Sequence, residues 1–274
     1  MNNFLQLLIN FFKALFGAKN KPIEETTTQT NNNSSSNGTS TNNTDKPNNT
    51  NTVDNNETNI NTDMGKYNGK VILLDNGHAQ STSGKRSPLF SDGKTRFFEY
   101  EFNRDIVKRI ASKLDALGIK YHILVPEVKD DIGLTVRANR ANKYCDTYGR
   151  NNCLFISVHA NAAGNGEEWK NARGWSIYTT KGVTKSDEIA TIFFEEASKL
   201  LPKYNMTLRK DMSDGDPDYE ENFTVIYKAA CPAILTENLF YDNKTDVNFL
   251  MSNTGRNIIA DIHVNAIKRV CGLA

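Results

Sequence analysis

Cysteine is scarce in this 274-residue chain, which has Cys145, Cys153, Cys231 and Cys271 and no C-x-x-C spacing. The missing spacing argues against a thiolate zinc site and a dithiol redox motif. Cys153 and Cys231 open apolar runs and read as small core residues; a Cys145–Cys153 bridge would need an oxidising compartment and is not expected. Charge of one sign is also lacking, with 33 basic against 32 acidic residues and a formal net charge of +1. No global field therefore favours nucleic acid or an acidic partner. The apolar stretch at 4–16, FLQLLINFFKALF, is too short to span a bilayer as a helix. Aromatics vanish between Lys19 and Gly65, although the whole chain has 14 Phe, 10 Tyr and 2 Trp.

Three segments follow from these absences. In residues 1–18 the polar members Asn3, Gln6, Asn10 and Lys13 fall on one helical stripe, with a wide apolar face opposite. One reading is an interfacial or partner-docking helix, giving membrane-surface or partner contact through residues 4–16. The other is a secretory signal, favoured by the apolar length and opposed by the missing positive n-region and poor cleavage site. Residues 19–65, rich in Asn, Thr and Ser, bury too little to offset the entropy of ordering and read as a disordered tether. The folded domain is expected over 66–274.

Within it, apolar runs alternate with amphipathic stretches. Strands are predicted at 70–75, 119–125, 153–158, 174–180, 223–228 and 233–237, and helices at 99–117, 134–144, 186–201 and 254–270. Phe102, Ile106, Ile110, Leu114 and Leu117 form the core stripe of the first helix, and Gly118 sits where a C′ glycine would end it. The alternation predicts a single α/β domain with a twisted, mostly parallel six-stranded sheet flanked by helices. Two polar stretches, 79–98 and 203–222, are long for loops in a compact domain.

Three of the apolar runs end in chemistry-bearing residues. One leads into Asp75-Asn76-Gly77-His78, one into His159 and one into Glu237. Ligands of open α/β sheets gather at the carboxyl ends of strands, so these residues are expected along one rim. Glu99 opens the helix that follows the first strand. Two imidazoles and a carboxylate suit a catalytic zinc with one position open for water, and a further carboxylate would serve as general base. Glu101 competes with Glu99, but about 200° of helical rotation separates them, and Glu99 shares the buried stripe. Simpler readings exist: Glu99 complements the helix dipole, and Glu237 pairs with an arginine. His122 and His263 read as structural. Arg86, Asp214 and Asp216, in the long loops, read as solvated charges rather than substrate contacts.

The segments DNGH (75–78), EYEFNRDI (99–106), LTVRANRAN (134–142), SVHANA (157–162) and CPAILTENLFYDN (231–243) together resemble the zinc-dependent N-acetylmuramoyl-L-alanine amidases of the amidase 3 type. These are cell-wall hydrolases found as bacterial autolysins and phage endolysins. The resemblance implies zinc held by His78, Glu99 and His159, with Glu237 as catalytic acid/base. It also implies a peptidoglycan substrate and action in the cell envelope or after secretion. Two departures stand out: Ala79 replaces a usual Gly, and Glu237-Asn238-Leu239-Phe240 replaces Glu-Leu-Gly-Phe, which puts the loop shape at Leu239 in question. Alternatives within the same chemistry are a stem-peptide peptidase or a sugar deacetylase; outside it, a non-catalytic wall-binding module.

Overall fold

Side-chain alternation along three parallel strands organises the molecule. The computed structural model describes residues 67–273, so the amphipathic stretch and tether expected over 1–65 lie outside the described residues. β1 (Val71–Asn76), β3 (Cys153–Asn161) and β6 (Ala233–Phe240) lie side by side at the centre of the sheet. Successive residues in a strand face opposite sides. Ile72, Leu74, Leu154, Ile156, Val158 and Ile234 therefore enter one core cluster. Val71, Leu73, Cys153, Phe155, Ala233 and Leu235 enter the other.

The six strands run in the order β2-β1-β3-β6-β4-β5, with β2 at Tyr121–Ile123, β4 at Ser176–Thr179 and β5 at Tyr219–Glu220. β4 is antiparallel to β6, and the other pairs are parallel. Helices cover both faces, as such a sheet requires. The first cluster takes apolar residues from α1 (Glu99–Ala116), α3 (Lys185–Leu200) and α6 (Asn253–Val270). The second takes Ala141 and Cys145 from α2 (Leu134–Tyr148) and Val225 and Ile226 from α4 (Thr224–Tyr227). Phe102, Ile106, Ile110 and Leu114 of α1 are fully buried. Each such side chain contributes on the order of 1.5–3 kcal/mol by leaving water. α1 stops where Gly118 takes φ +66, a left-handed turn that costs glycine little.

Two elements differ from expectation. The segment 223–228, rich in β-branched residues, is not a strand but contains α4, closed by Tyr227 N–H donating to the Phe223 carbonyl and Lys228 N–H to that of Thr224. Consecutive Val225 and Ile226 both enter one core cluster, which a strand's alternation forbids and a helical turn permits. The sixth strand is β5, inside the polar excursion 203–222; it is short, lies at the sheet edge and is backed by Tyr219 stacked on Tyr178. An additional helix, α5 (Lys244–Met251), starts at Asn243, whose side chain accepts from the backbone N–H groups of Thr245 and Asp246. The four cysteines are free, and Cys231 is only half-buried rather than core.

His263 is structural, as expected, but sits in the core rather than on a flank. Its Nδ1–H donates to the Ile259 carbonyl (2.8 Å), and its Nε2 accepts from the Thr236 hydroxyl (3.0 Å). Burial pushes its pKa down to about 4, against partial support from the Ile259 carbonyl. The depressed value means the unfolded chain takes up a proton first as pH falls. Stability is then complete above about pH 6.5 and is lost as pH falls toward 4, by on the order of 3 kcal/mol. Urea unfolding at pH 7 and pH 5 checks this: His263→Asn should flatten the acid-side loss, and an equal loss in both proteins would refute it.

Candidate active site

The second face of the sheet changes character along its strands. Near their amino ends it presents Val71, Leu73, Phe155, Ala233 and Leu235; near their carboxyl ends it presents Asp75, Ser157, His159 and Glu237. The register sets Asp75 opposite Ser157 and His159 opposite Glu237. Past His159 the β3–β6 pairing shifts register, a bulge that re-aims the strand ends.

Leu239 makes this bulge with φ +68, and its side chain is fully buried. The left-handed geometry that a glycine would supply is thus kept by a leucine, at a cost of about 1–2 kcal/mol. A buried chain of hydrogen bonds holds the distorted segment. Trp175 Nε1–H donates to Asn238 Oδ1 (2.8 Å), and Asn238 Nδ2 donates to the His159 carbonyl (2.8 Å) and the Thr236 hydroxyl (3.1 Å). Asn238, a departure from the usual leucine, is therefore spent on fixing the backbone behind His159.

His78 follows β1 in a left-handed conformation, φ 62, while Ala79 does not, so no glycine is needed at 79. Arg137, almost fully buried, anchors this corner: its Nη1 donates to Asp75 Oδ1 (3.1 Å) and the Asn76 carbonyl (3.2 Å). Ser157 donates to the other Asp75 oxygen at 2.6 Å. Gly77 is required for space. A Cβ there would lie 2.0 Å from Cε1 of His159, because the imidazole packs directly on its Cα.

Glu99 is the hub. Its Oε1 lies 3.0 Å from His159 Nδ1, accepts from Ala160 N–H at 3.2 Å, and receives Asn103 Nδ2 at 3.4 Å. Its Oε2 lies 3.4 Å from His78 Nε2 and 3.9 Å from Lys85 Nζ, and accepts no hydrogen bond among the described residues. Its carboxylate is thus directed at the imidazoles rather than spent on the helix end. Glu101 is exposed, as the helical rotation required. Burial pushes the Glu99 carboxyl up, but His78, Lys85 and His159 outweigh that and hold it below the usual carboxylate range. Burial keeps His78 neutral by pushing its pKa well down. Ligand atoms of His78, Glu99 and His159 lie within 4.8 Å of one another. For a tetrahedral ion with bonds of about 2.0–2.2 Å, neighbouring donors stand about 3.3–3.6 Å apart. The 3.0 Å from Glu99 Oε1 to His159 Nδ1 and the 3.4 Å from Glu99 Oε2 to His78 Nε2 involve different carboxylate oxygens. A set with one donor from each residue fits within 4.8 Å, so an ion would draw the donors slightly together.

Glu237 is buried, with Oε2 accepting no hydrogen bond, and no arginine pairs with it among the described residues. Burial raises its pKa well above the carboxylate range, the Glu99 charge adds to the shift, and Lys85 opposes it. All four residues expected at the rim thus share one buried corner. The others behave as structural or solvated groups. His122 stacks on Tyr144 with ring centroids 3.9 Å apart. Arg86 pairs with exposed Glu167, and Asp214 is exposed. Asp216 lies against Asp218, a buried carboxyl that burial and this neighbour push up to about 8. Sequence reasoning missed Lys85, Asn103 and the Asp75–Arg137–Ser157 network. Asn103 had a signal, since it lies one helical turn beyond Glu99 on the same face.

A layered α/β sheet with two imidazoles and two carboxylates at one buried rim is the kind of site that metal-assisted hydrolases use. The family model for N-acetylmuramoyl-L-alanine amidase matches residues 72–269, and the chain belongs to that family. It is 26% identical over 208 residues to an endolysin of Bacillus phage SPP1, covering 74% of this chain and 67% of that protein. It is 30% identical to the N-acetylmuramoyl-L-alanine amidase CwlM of Bacillus licheniformis, covering 56% of this chain. The match spans only about half of that relative's length, 52%. Among solved structures, the catalytic domain of CwlV from Bacillus (Paenibacillus) polymyxa var. colistinus has the same fold at TM-score 0.57 and 21% identity, covering 75% of this chain and 99% of that one. An N-acetylmuramoyl-L-alanine amidase of Clostridium difficile 630 does so at TM-score 0.57 and 23% identity, with 73% and 95% covered.

Proposed function

We propose that this chain performs its family's reaction, hydrolysis of the amide between N-acetylmuramic acid and L-alanine in peptidoglycan, with zinc held by His78, Glu99 and His159 and with Glu237 as acid/base. The observation that carries this reading is the convergence of two imidazoles and the Glu99 carboxylate in one buried cluster, with Glu237 in register with His159. When bound, zinc would make a water nucleophilic near neutral pH and polarise the lactyl carbonyl.

The chain's own residues do the rest. Neutral His78 and anionic Glu99 present lone pairs without first losing a proton, which favours a divalent ion. Asn103, Ala160 N–H and the Asn238-held backbone fix Glu99 and His159 so that the donors need little rearrangement. Glu237 takes the proton of the attacking water as the oxygen–carbon bond forms. It then returns that proton to the alanine nitrogen as the carbon–nitrogen bond breaks, because an amine leaves poorly without it. The buried, raised-pKa setting of Glu237 suits a group that must both accept and donate. The place of action is the cell wall.

Product analysis of purified sacculi tests the reading. Digestion should release intact stem peptides carrying a free L-alanine amine, a chelator should stop it, and added zinc should restore it. Cuts within the stem peptide, or release of acetate, would favour a peptidase or a deacetylase. Full activity in the presence of chelator would remove the metal from the mechanism.

A further inference from the structure

We propose that Lys85 is a further catalytic residue, its ammonium stabilising the negative charge that develops on the scissile carbonyl oxygen. This rests on the proposed metal site at His78, Glu99 and His159. Lys85 lies in the long loop 79–98, yet it is only 9% exposed. The loop folds back on the segment leading into α1. The Glu99 N–H donates to the Lys85 carbonyl (3.0 Å), Arg86 bridges to Phe98, and Ser87 N–H donates to the Phe97 carbonyl (2.9 Å). Phe97 N–H in turn donates to Ser87 Oγ (2.9 Å), and Arg96 Nη1 to the Ser87 carbonyl (2.9 Å). The backbone of Lys85 is thus tied to the residue next to which its side chain lies.

The side on which its charge falls is informative. Glu99 Oε1 already faces His159, Ala160 N–H and Asn103. Lys85 Nζ instead stands 3.9 Å from Oε2, the oxygen that also faces His78. Lys85 pairs with the Glu99 carboxylate there, and its charge would oppose the cation those ligands would hold. A charge in that position does gain when a carbonyl oxygen becomes anionic beside it. During attack the water oxygen bonds the carbonyl carbon, the C=O π pair moves onto oxygen, and Glu237 takes the water proton. Lys85 takes no part in that proton transfer. Its flexible four-carbon stem lets the ammonium advance to hydrogen-bond distance of that oxygen.

The test uses the full chain with soluble N-acetylmuramoyl-peptide fragments. Lys85→Met should lower kcat about 100-fold with KM little changed. Its zinc affinity, read by chelator competition, should be equal to or tighter than wild type, since a repulsive charge is gone. Lys85→Ala should show a similar loss, partly restored by ethylammonium, and Lys85→Arg should retain more activity than Lys85→Met. Should Lys85→Met fold poorly, ethylammonium rescue of Lys85→Ala decides the matter. A Lys85→Met protein turning over within threefold of wild type, weaker zinc binding in that variant, or no amine rescue would each overturn the proposal. The same series separates this failure from failure of the metal site. If wild type carries no zinc and ignores chelator, the site assignment falls; if it is zinc-dependent and Lys85→Met is fully active, only the lysine's role falls.

Discussion

Glu237→Gln is expected to lose about three orders of magnitude in turnover while retaining zinc at the wild-type level. The side chain keeps its shape, and the three ligand residues are untouched, so metal content should not move. What disappears is the group that accepts the water proton and hands it to the leaving nitrogen. Stability should respond in the opposite sense. Glu237 is 3% exposed, and its raised folded-state pKa means the ionised form is disfavoured by the fold. A carboxyl of this kind costs stability once the pH passes its ordinary value near 4.5, and the cost grows until the folded value is reached. A neutral amide removes that cost, so the melting temperature at pH 7.5 should be equal or higher. Parallel measurements of kcat, bound zinc and Tm check all three. Turnover above a tenth of wild type would show that another group carries the proton.

The sequence exposed the strands because β1, β3 and β6 are buried on both faces and read as near-continuous apolar runs. It exposed the site because His78, His159 and Glu237 each follow such a run. A parallel sheet turns strand ends that are distant in sequence into neighbours at one edge. Glu99 was legible through helical rotation, since the same stripe carries Phe102 and Ile106 into the core. The segment 223–228 misled because β-branched composition favours strand, whereas consecutive Val225 and Ile226 had to reach one cluster. Leucine's local preference opposes the left-handed backbone at Leu239, but tertiary packing overrides it. Its fully buried side chain and the Asn238 hydrogen bonds hold a backbone that leucine alone would avoid. Lys85 left no trace in periodicity. Its position depends on a loop folding back through backbone hydrogen bonds, which residue type does not encode.

Gly77→Ala should disable the enzyme almost as thoroughly as loss of a ligand, although it removes no functional group. A methyl at this position would fall 2.0 Å from His159 Cε1 and 2.4 Å from both ring nitrogens. The backbone has little freedom to retreat. Gly77 N–H donates to the Val158 carbonyl (3.1 Å), and Asn103 Nδ2 donates to the Gly77 carbonyl (3.0 Å). The imidazole must therefore swing away, which separates it from Glu99 and opens the cluster. Misplacement of a catalytic group by about 1 Å costs on the order of 100-fold, and zinc affinity should fall with it. Because the clash is with one side chain at the rim rather than with the core, unfolding should shift only modestly. Gly133→Ala is the control: that glycine is exposed and a Cβ there meets nothing within 4 Å. It should leave zinc affinity and turnover unchanged. If Gly77→Ala matched this control in both measurements, the contact between His159 and the Gly77 backbone would not be what positions the ligand. If it lost zinc and activity while remaining folded, the geometry of the strand ends would be setting the metal site, with Gly77 as the spacer that lets His159 reach Glu99.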